Sequence, residues 1–549
     1  FFFFKQKTAY EIVDCDWSSD VCSSDLGSEG GEMKRTVLAL ALCLGFASLP
    51  AGGQDAARPV PAQLSPQALQ ANLQSTRQYY TTLVAGPSPN LVGLTLMMTM
   101  MPKGGDLHHH YSGSIYAETF LDWVKEKKAC VWQADNPARE KAFKFTIWGE
   151  PGVLTPEERA DCLDVEAILS TDNNGFYREL LAIWSDKDFY NHSHQQTPPD
   201  QHFFDTFFYI GGISSAFPEA GLRQLKARAI AENVQYIETM LGQPPRAQNE
   251  ALAAPLEALS PDASDADIQA ALAPFYDFLA ADEATATSIK GYVAALDKLA
   301  DGLDDGDFKV RFQTFVVRND PRARVFSGLY SSFVAAGAGG KVVGANIVGP
   351  ENRPVSMRDY GLHMRMFAFL KQKFPGVKLS LHAGELALGM VPPEGLQNHI
   401  REAVEVAGAQ RIGHGVDIAH ERDATGLLRL MREKKVAVEI NLTSNEFILG
   451  VKGEAHPILL YRHAGVPFVI STDDSGVSRN NLSAEYVLYA SRYRPTYDMI
   501  KETAFNSIRL SFLSDADKIA ELARLTERFG KFEARIADMA KGLPGAKGP

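Results

Sequence analysis

The chain has 549 residues, 45% of them hydrophobic, which allows one large core or two ordinary ones and excludes a disordered or fibrous protein. The formal net charge of -12 argues against nucleic acid or an anionic membrane surface as the main partner, because both favour basic faces. A small neutral or cationic ligand stays open.

The first 53 residues predict a leader. Residues 1–32 precede the first methionine, Met33, carry no periodicity that continues downstream, and resemble translated sequence ahead of the true start. A basic Lys-Arg pair, an apolar run over 36–49 and small residues at 51–53 predict a secretory signal peptide over 33–53. We therefore expect a periplasmic or secreted protein with no stable membrane anchor once the signal is cleaved.

A membrane anchor is the alternative interpretation of this leader, although its apolar run is shorter than the ~20 residues that a span needs. A lipoprotein at Cys43 is disfavoured, because Leu42 stands where a small residue is expected.

The remaining cysteines are consistent with export. Cleavage leaves Cys130 and Cys162, and an even pair in an exported protein predicts one disulfide. The bond would close a loop of about 33 residues and stabilise the fold by roughly 3 to 4 kcal/mol in the chain-entropy model. Two unrelated buried thiols are the alternative.

Residues 54–101 predict a helical extension ahead of the main domain. Ser65 and Pro66 have the order of an N-cap and a first helical residue, and apolar residues follow them near helical spacing. After a Gly-Pro-Ser-Pro break, residues 90–101 predict a second short helix whose methionines fill the core.

A short strand follows in GDLHHHYSG, from Gly105 to Gly113. Side chains alternate faces along a strand, so His108 and His110 point the same way and form half of a metal site, while His109 faces away into packing. The Ser-Gly after the histidines predicts a loop, where functional side chains are presented to ligands. An isolated His-x-His pattern is weak, so this interpretation depends on partners further along the chain.

About 120 residues separate this strand from the next, far more than an ordinary strand-to-helix connection. They predict an inserted subdomain or lid over about 115–230, which contains both remaining cysteines. The histidines His192, His194 and His202 are neighbours within it, and we assign them surface or packing roles.

Predicted strands alternate with helical segments along the rest of the chain. There are seven of them, over 234–240, 310–317, 342–349, 377–385, 411–415, 436–444 and 467–474, and the histidine strand makes eight. Near-continuous apolar strands joined by amphipathic helices indicate a parallel sheet, and eight such units favour an α/β fold of the (β/α)8 TIM-barrel type. The barrel is predicted over 102–535, with extra helices before residue 307 and a flexible tail over 536–549.

In such a barrel the chemistry lies at the C-terminal ends of the strands. The notable residues at these predicted ends are His110, Gly349, His382, Glu385, His414, Asp473 and Asp474. Three imidazoles and one carboxylate, from His108, His110, His382 and Asp473, form a ligand set suited to one Zn2+ ion, which lowers the pKa of a bound water towards ~7. A second metal is not expected. The related hydrolases with two metals need a bridging lysine at a strand end, whereas the strand over 342–349 ends without one and Lys341 stands at its other end.

The motifs MPKGGDLHHHYSGS, LHAGE, RIGHG and STDD occur in this order at strand ends, and together they resemble the adenosine deaminase family of amidohydrolases. The long insertion and the export signal resemble its secreted growth-factor-like branch. The resemblance covers about residues 100–500. It implies zinc-dependent hydrolytic deamination of adenosine or 2'-deoxyadenosine to inosine or 2'-deoxyinosine plus ammonia.

The resemblance also implies roles for single residues. Those that would bind zinc are His108, His110, His382 and Asp473. Glu385 would give a proton to purine N1, so that the ring can accept electrons when water attacks C6, and His414 would hold and deprotonate that water. Asp474 would hydrogen-bond the purine, while His110 and the backbone of Gly349 would contact the substrate.

Three positions depart from the family pattern. Ser112 and Asn346 stand where many members have an acid, and Ser475 stands where the best-known members have proline. None of the three is a metal ligand, so they bear on the ribose contacts and on the identity of the nucleoside rather than on the reaction type.

Two other functions are compatible with the same barrel. One is deamination of a different amino-purine, and the other is a non-catalytic secreted protein that binds nucleosides or signals. The presence of Glu385, His414 and Asp474 argues against the second, because a pure binder needs no acid and base beside the metal. The sequence leaves a homodimer open.

Overall fold

A computed structural model describes residues 65–135, 144–149, 154–191 and 197–542, and the fold is given for these residues. The leader and signal predicted over 1–53 lie outside them, as do His192 and His194. Among the described helices, none combines the length and the apolar character that a membrane crossing requires.

Eight parallel strands form a closed ring, and two further strands lie in the insertion. The strands are β1 Gly104–His110, β2 Cys130–Asp135, β3 Lys144–Gly149, β4 Val234–Met240, β5 Lys309–Val317, β6 Val342–Val348, β7 Ser380–Ala383, β8 Arg411–His414, β9 Ala437–Ile440 and β10 Phe468–Ile470. One sheet has the order β1-β4-β5-β6 and the other the order β7-β8-β9-β10. A bridge between Ala345 and Leu379 joins β6 to the start of β7, and a bridge between His109 and Asp473 joins β1 to the end of β10. The predicted (β/α)8 TIM barrel is therefore confirmed.

Three of the predicted strands are shorter than their apolar patterns suggest. The prediction over 436–444 is wrong after Ile440, because a helix begins at Leu442. The buried Glu485 carboxylate accepts hydrogen bonds from the backbone N–H groups of Leu442 and Thr443, which caps that helix. The strands predicted over 377–385 and 467–474 are likewise reduced to β7 and β10.

The N-terminal extension packs on the C-terminal part of the chain. It contains α1, Pro66–Val84, and α2, Leu91–Met100, and the Ser65 side chain accepts a hydrogen bond from Ala68 N as a helix cap. The Tyr80 hydroxyl donates to the backbone oxygen of Pro495 over 3.0 Å, which ties α1 to the far end of the chain.

The insertion after β1 is largely helical. Its helices are α3 Ala117–Glu126, α4 Pro156–Asp161, α5 Val165–Ile168, α6 Asn174–Ile183, α7 Pro199–Ala216 and α8 Pro218–Ala231, with a 3-10 turn over Thr171–Asn173. The antiparallel pair β2 and β3 was not predicted. Cys130 and Cys162 form a disulfide. His202 packs its ring against Phe189, with ring centroids 4.9 Å apart, in agreement with a packing role.

The remaining helices surround the barrel and close its C-terminal side. They are α9 Glu250–Glu257, α10 Asp265–Ala281, α11 Glu283–Asp301, α12 Arg322–Gly337, α13 Pro354–Lys373, α14 His399–Glu402, α15 Ala424–Lys434, α16 Leu442–Leu449, α17 Ile458–Ala464, α18 Leu482–Tyr493, α19 Tyr497–Arg509 and α20 Asp515–Lys541. Short 3-10 turns span Pro393–Leu396, Val416–His420 and Gly453–Ala455, and a π-helical turn spans Ala403–Ala407. The helices expected before residue 307 are thus present as α9 to α11.

The flexible tail predicted from residue 536 is wrong as far as Lys541. Helix α20 continues to that residue, and Ile536 and Ala537 are buried in the core. The apolar face of α20 packs on α1, and this contact extends the helix beyond the barrel.

Candidate active site

The structure brings the four predicted metal ligands together. His108 and His110 lie on β1, His382 lies on β7, and Asp473 follows β10, with one ligand atom from each lying within 4.8 Å of the others. Asp473 Oδ1 is 3.2 Å from the Nε2 atoms of both His108 and His110, and His110 Nε2 is 3.2 Å from His382 Nε2. The group is almost completely removed from solvent.

The donor set fits a zinc ion. His108 Nδ1 donates to the Glu439 carboxylate over 2.7 Å, and His382 Nδ1 donates to Asn346 Oδ1 over 2.9 Å. In the neutral tautomer with the proton on Nδ1, each ring directs the lone pair of Nε2 at the cluster. His108 Nε2 is buried, and its neighbour at 3.2 Å is Asp473 Oδ1, another member of the cluster. Three imidazole nitrogens and a carboxylate oxygen are ligands that zinc favours.

Glu439 and Asn346 hold these rings, and the sequence did not predict either role. Glu439 also accepts from Ser380 Oγ over 2.8 Å and pairs with Arg411. Burial alone would raise its pKa, but the Arg411 guanidinium and His108 hold the pKa of Glu439 at about 2. Glu439 is an acid inside the otherwise apolar strand VAVEI, and this pattern could have indicated a buried functional role. Asn346 was noted only as a departure from the family pattern.

Glu385 and His414 form the second part of the site. Glu385 Oε1 lies 3.6 Å from His414 Nε2, and both side chains are buried beside Asp473. Burial and the charges of Asp473 and Glu351 raise the pKa of Glu385 well above its ordinary value. The carboxyl group can therefore hold a proton near neutral pH and give it to a bound molecule.

Glu351 positions the turn that carries Glu385. Its carboxylate accepts from the backbone N–H groups of Gly384, over 3.1 Å, and Glu385, over 3.0 Å. Arg318 lies 3.4 Å from the same carboxylate, and His399 also bonds to it. Its role was not predicted, because it depends on a partner more than 30 residues away in the chain.

Two residues of the site have left-handed backbone. The φ angle is +68° at His414 and +60° at Asp473, a region that residues other than glycine rarely adopt. Strained backbone of this kind is concentrated at functional sites, where the surrounding structure maintains it.

Burial lowers the pKa of His414 to about 3, so this ring is neutral.

A cavity of about 490 Å³ opens onto these groups, a size typical of small-molecule sites. His110, His382, Glu385, His414, Asp473 and Asp474 line it together with Ser112 and Gly349. Asp474 Oδ1 is buried and has no hydrogen-bond partner among the described residues. Burial together with the charge of Asp473 raises the pKa of Asp474. Gly349 has a φ of +99°, and a Cβ there would lie 2.9 Å from Asn319 Oδ1, so only glycine brings its backbone to this wall.

The opposite wall of the cavity is apolar and was not predicted. Helix α7 of the insertion contributes Phe203, Phe204, Phe207 and Phe208, which recur at helical spacing. The spacing of these phenylalanines in DQHFFDTFFYI was a signal for one helix face, but nothing local indicated what that face would cover.

Three residues lie outside this cavity, and the sequence predicted this for His109 and Lys341 but not for Ser475. His109 points to the other face of β1, where its Nδ1 lies 2.9 Å from Thr239 Oγ1 and its ring borders a separate cavity of about 410 Å³. Ser475 borders that second cavity too. Lys341 precedes β6 at the far end of the barrel and pairs with Asp304 over 2.8 Å.

The described residues thus form a closed barrel with a histidine and aspartate cluster at its strand ends. Residues 293–528 match the family model for adenosine deaminase. This segment, which runs from α11 into α20 and includes six of the predicted site residues, is similar to the adenosine deaminase family.

Named relatives agree with this assignment over part of their length. An adenosine deaminase of Clostridium perfringens is 33% identical over 141 residues, which are 26% of this chain and 39% of the relative. An adenosine deaminase of Vibrio cholerae is 32% identical over 161 residues, or 29% and 45% of the two chains. The matches thus span less than half the length of these relatives.

A solved structure supports the fold. The arabidopsis protein ADAL, complexed with IMP, aligns with a TM-score of 0.50 and 18% identity over 79% of this chain and 99% of that chain. At this identity the likeness concerns the barrel alone.

Proposed function

We propose that the protein is a zinc-dependent hydrolase that converts adenosine or 2'-deoxyadenosine to inosine or 2'-deoxyinosine and ammonia. The observation that carries the proposal is the meeting of Glu385 and His414, 3.6 Å apart, with the four-ligand cluster at the inner end of one cavity. An acid, an imidazole and a metal site at one point are the groups needed to add water to an aromatic C–N carbon. The match of residues 293–528 to the adenosine deaminase family model supports this choice of reaction.

One zinc ion per chain would be held by His108, His110, His382 and Asp473, and it supplies the Lewis acidity that lowers the pKa of water. The residues of the chain do the rest. Glu385 places its proton on purine N1 as the water oxygen bonds to C6. His414 holds that water, and one proton of the water passes to the Glu385 carboxylate formed in the same step. The C6–N6 bond then breaks, and the amino group leaves as ammonia with the remaining hydroxyl proton.

The cavity walls orient the base. We assign Asp474 to a ring nitrogen of the purine, because its buried Oδ1 has no partner in the part of the chain that the structure describes, and we assign the backbone of Gly349 to the edge beside N1. The phenylalanines of α7 give the cavity an apolar wall, and apolar surroundings strengthen the polar contacts made beside them.

The test uses purified protein with adenosine, 2'-deoxyadenosine, adenine and AMP, each with and without a chelator. We expect a loss of adenine absorbance and release of ammonia with the two nucleosides, abolished by the chelator and restored by added zinc. Turnover of adenine or AMP alone would mean that the substrate is another amino-purine and not adenosine or 2'-deoxyadenosine. Binding without turnover of any of the four would overturn the enzyme in favour of a nucleoside-binding protein.

We also propose that the protein works outside the cytosol, in the periplasm or the medium. The disulfide between Cys130 and Cys162 supports this, because such bonds persist in oxidising compartments. Protein recovered from the periplasm or medium of its host should begin near residue 54. Recovery of the cytosolic form alone, with residues 33–53 still attached, would overturn the proposal.

A further inference from the structure

A chain of hydrogen bonds from α16 and the start of α17 ends at Nδ1 of His414, the ring nitrogen that faces away from Glu385. The backbone N–H of Ile458 lies 3.2 Å from His456 Nδ1, and His456 Nε2 lies 3.1 Å from Asn445 Oδ1. Asn445 Nδ2 lies 2.9 Å from His414 Nδ1, and Asn441 Nδ2 approaches the same atom at 3.4 Å. The side chains of His414, Asn445 and His456 are all buried.

The donor and the acceptor of each bond can be assigned by starting from the backbone N–H of Ile458. A backbone N–H can only donate, so His456 Nδ1 is an acceptor and carries no proton. Burial and the nearby Arg492 lower the pKa of His456 to about 3, so this ring is neutral and its single proton lies on Nε2. His456 therefore donates to Asn445 Oδ1, which leaves the amide NH2 group of Asn445 facing His414.

An amide NH2 group can only donate, and two of them, from Asn445 and Asn441, face His414 Nδ1. In neutral His414, Nδ1 is then the acceptor and the proton lies on Nε2. His414 Nε2 has no partner in the described structure and faces Glu385 and Asp473, at 3.6 and 3.9 Å.

We propose that His456 and Asn445 are positioning residues that fix the Nε2–H tautomer of His414, so that His414 acts as a hydrogen-bond donor to the attacking water and to the charge that develops on its oxygen. This inference rests on the proposed function for the identity of the water. It replaces the base role predicted for His414 from the sequence. The proton that leaves the water passes instead to Glu385, which is a carboxylate once it has given its own proton to purine N1.

Substitution of Asn445 inverts the tautomer. In Asn445→Asp the carboxylate can only accept, so His414 has to place its proton on Nδ1 and present a lone pair at Nε2. Loss of a preorganised donor to a developing oxyanion costs on the order of 10²- to 10³-fold in kcat. We expect a fall in kcat of about 10²-fold, with little change in KM because the purine contacts are untouched.

His456 offers a graded second test. In His456→Gln the side-chain amide can still donate to Asn445 Oδ1, whereas in His456→Phe it cannot. We expect His456→Gln to keep most of the activity and His456→Phe to lose roughly tenfold in kcat, the scale of one supporting contact to a site residue. The control is His463→Phe, the same change at an exposed position of α17.

The tautomer itself is measured on the unaltered, zinc-loaded protein by nitrogen-15 NMR with labelled histidine, with the His414 signals assigned by their loss in His414→Gln. We expect an unprotonated Nδ1 and a protonated Nε2. A proton on Nδ1, or full kcat in Asn445→Asp, would overturn the inference. Failure of the deaminase proposal would show separately, as absent turnover in the unaltered protein, and the NMR result does not depend on turnover.

Discussion

The two halves of the barrel build the site in different ways. In the half formed by β1, β4, β5 and β6 the strands have 7, 7, 9 and 7 residues, whereas β7 to β10 have 4, 4, 4 and 3. The long-stranded half presents His108 and His110 from within a ladder. The short-stranded half ends early and carries Glu385, His414 and Asp473 at or just beyond the strand ends.

The difference shows how a barrel can combine rigidity with unusual backbone. A ladder fixes side-chain direction by alternation, so His108 and His110 are placed by the sheet itself. At the short strand ends the backbone is left-handed at Gly384, His414 and Asp473. Strain of this kind costs on the order of 1–3 kcal/mol per residue other than glycine, and it persists only where neighbouring contacts maintain it. Glu351 and Asn445 are such contacts.

The largest effect is expected in the short-stranded half, at its proton donor. Glu385→Gln keeps the shape but removes the acid, so we expect kcat to fall by about 10²- to 10⁴-fold while zinc stays bound. Steady-state kinetics and metal analysis measure the two quantities. The matched control is Glu394→Gln at an exposed position of the same connection. Full activity in Glu385→Gln would mean that another group protonates the ring.

A smaller effect is expected where the halves meet. Glu439 on β9 holds His108 of β1, so Glu439→Gln should weaken zinc binding by about 10- to 100-fold, the usual effect of removing a partner that orients a ligand. Competition with a chromogenic chelator measures the affinity. Ser380→Ala removes a different bond to the same carboxylate and serves as the control. Equal affinity in Glu439→Gln and the unaltered protein would show that β1 positions His108 alone.

The smallest effect is expected on the outer face of β1. His109→Asn should leave zinc content and kcat unchanged, because the ring bonds to Thr239 rather than to the cluster. Loss of that buried hydrogen bond should lower the free energy of unfolding by about 1 kcal/mol, as followed by denaturant unfolding. Loss of the metal in this variant would mean that the alternation along β1 is shifted by one residue.

The long-stranded half was also the easier half to predict. The strand predicted over 234–240 coincides with β4, because a turn limits the apolar run at each end. In the short-stranded half, apolar residues continue past the true ends, and the helix at Leu442 depends on Glu485, more than 40 residues later. Local patterns contain no information about such partners.

The same limit applies to the site. Strand alternation and strand-end position were enough to bring His108, His110, His382 and Asp473 together. The residues that orient the site were missed, because Glu439, Asn346 and Glu351 act on groups that belong to other strands and are distant in the chain. The exchange of roles inferred for His414 is the clearest case, since its tautomer depends on His456, which no motif includes.

The barrel closes at its own metal site. His110 N donates to Asp473 O and Asp473 N donates to His108 O, so the seam between the first and last strands runs through three of the four ligands. An ion bound there would link the first strand to the last, and its binding free energy would add to the free energy needed to separate them. Metal binding at this seam would therefore stabilise the fold as well as the site, and removal of the metal with a chelator should lower the free energy of unfolding.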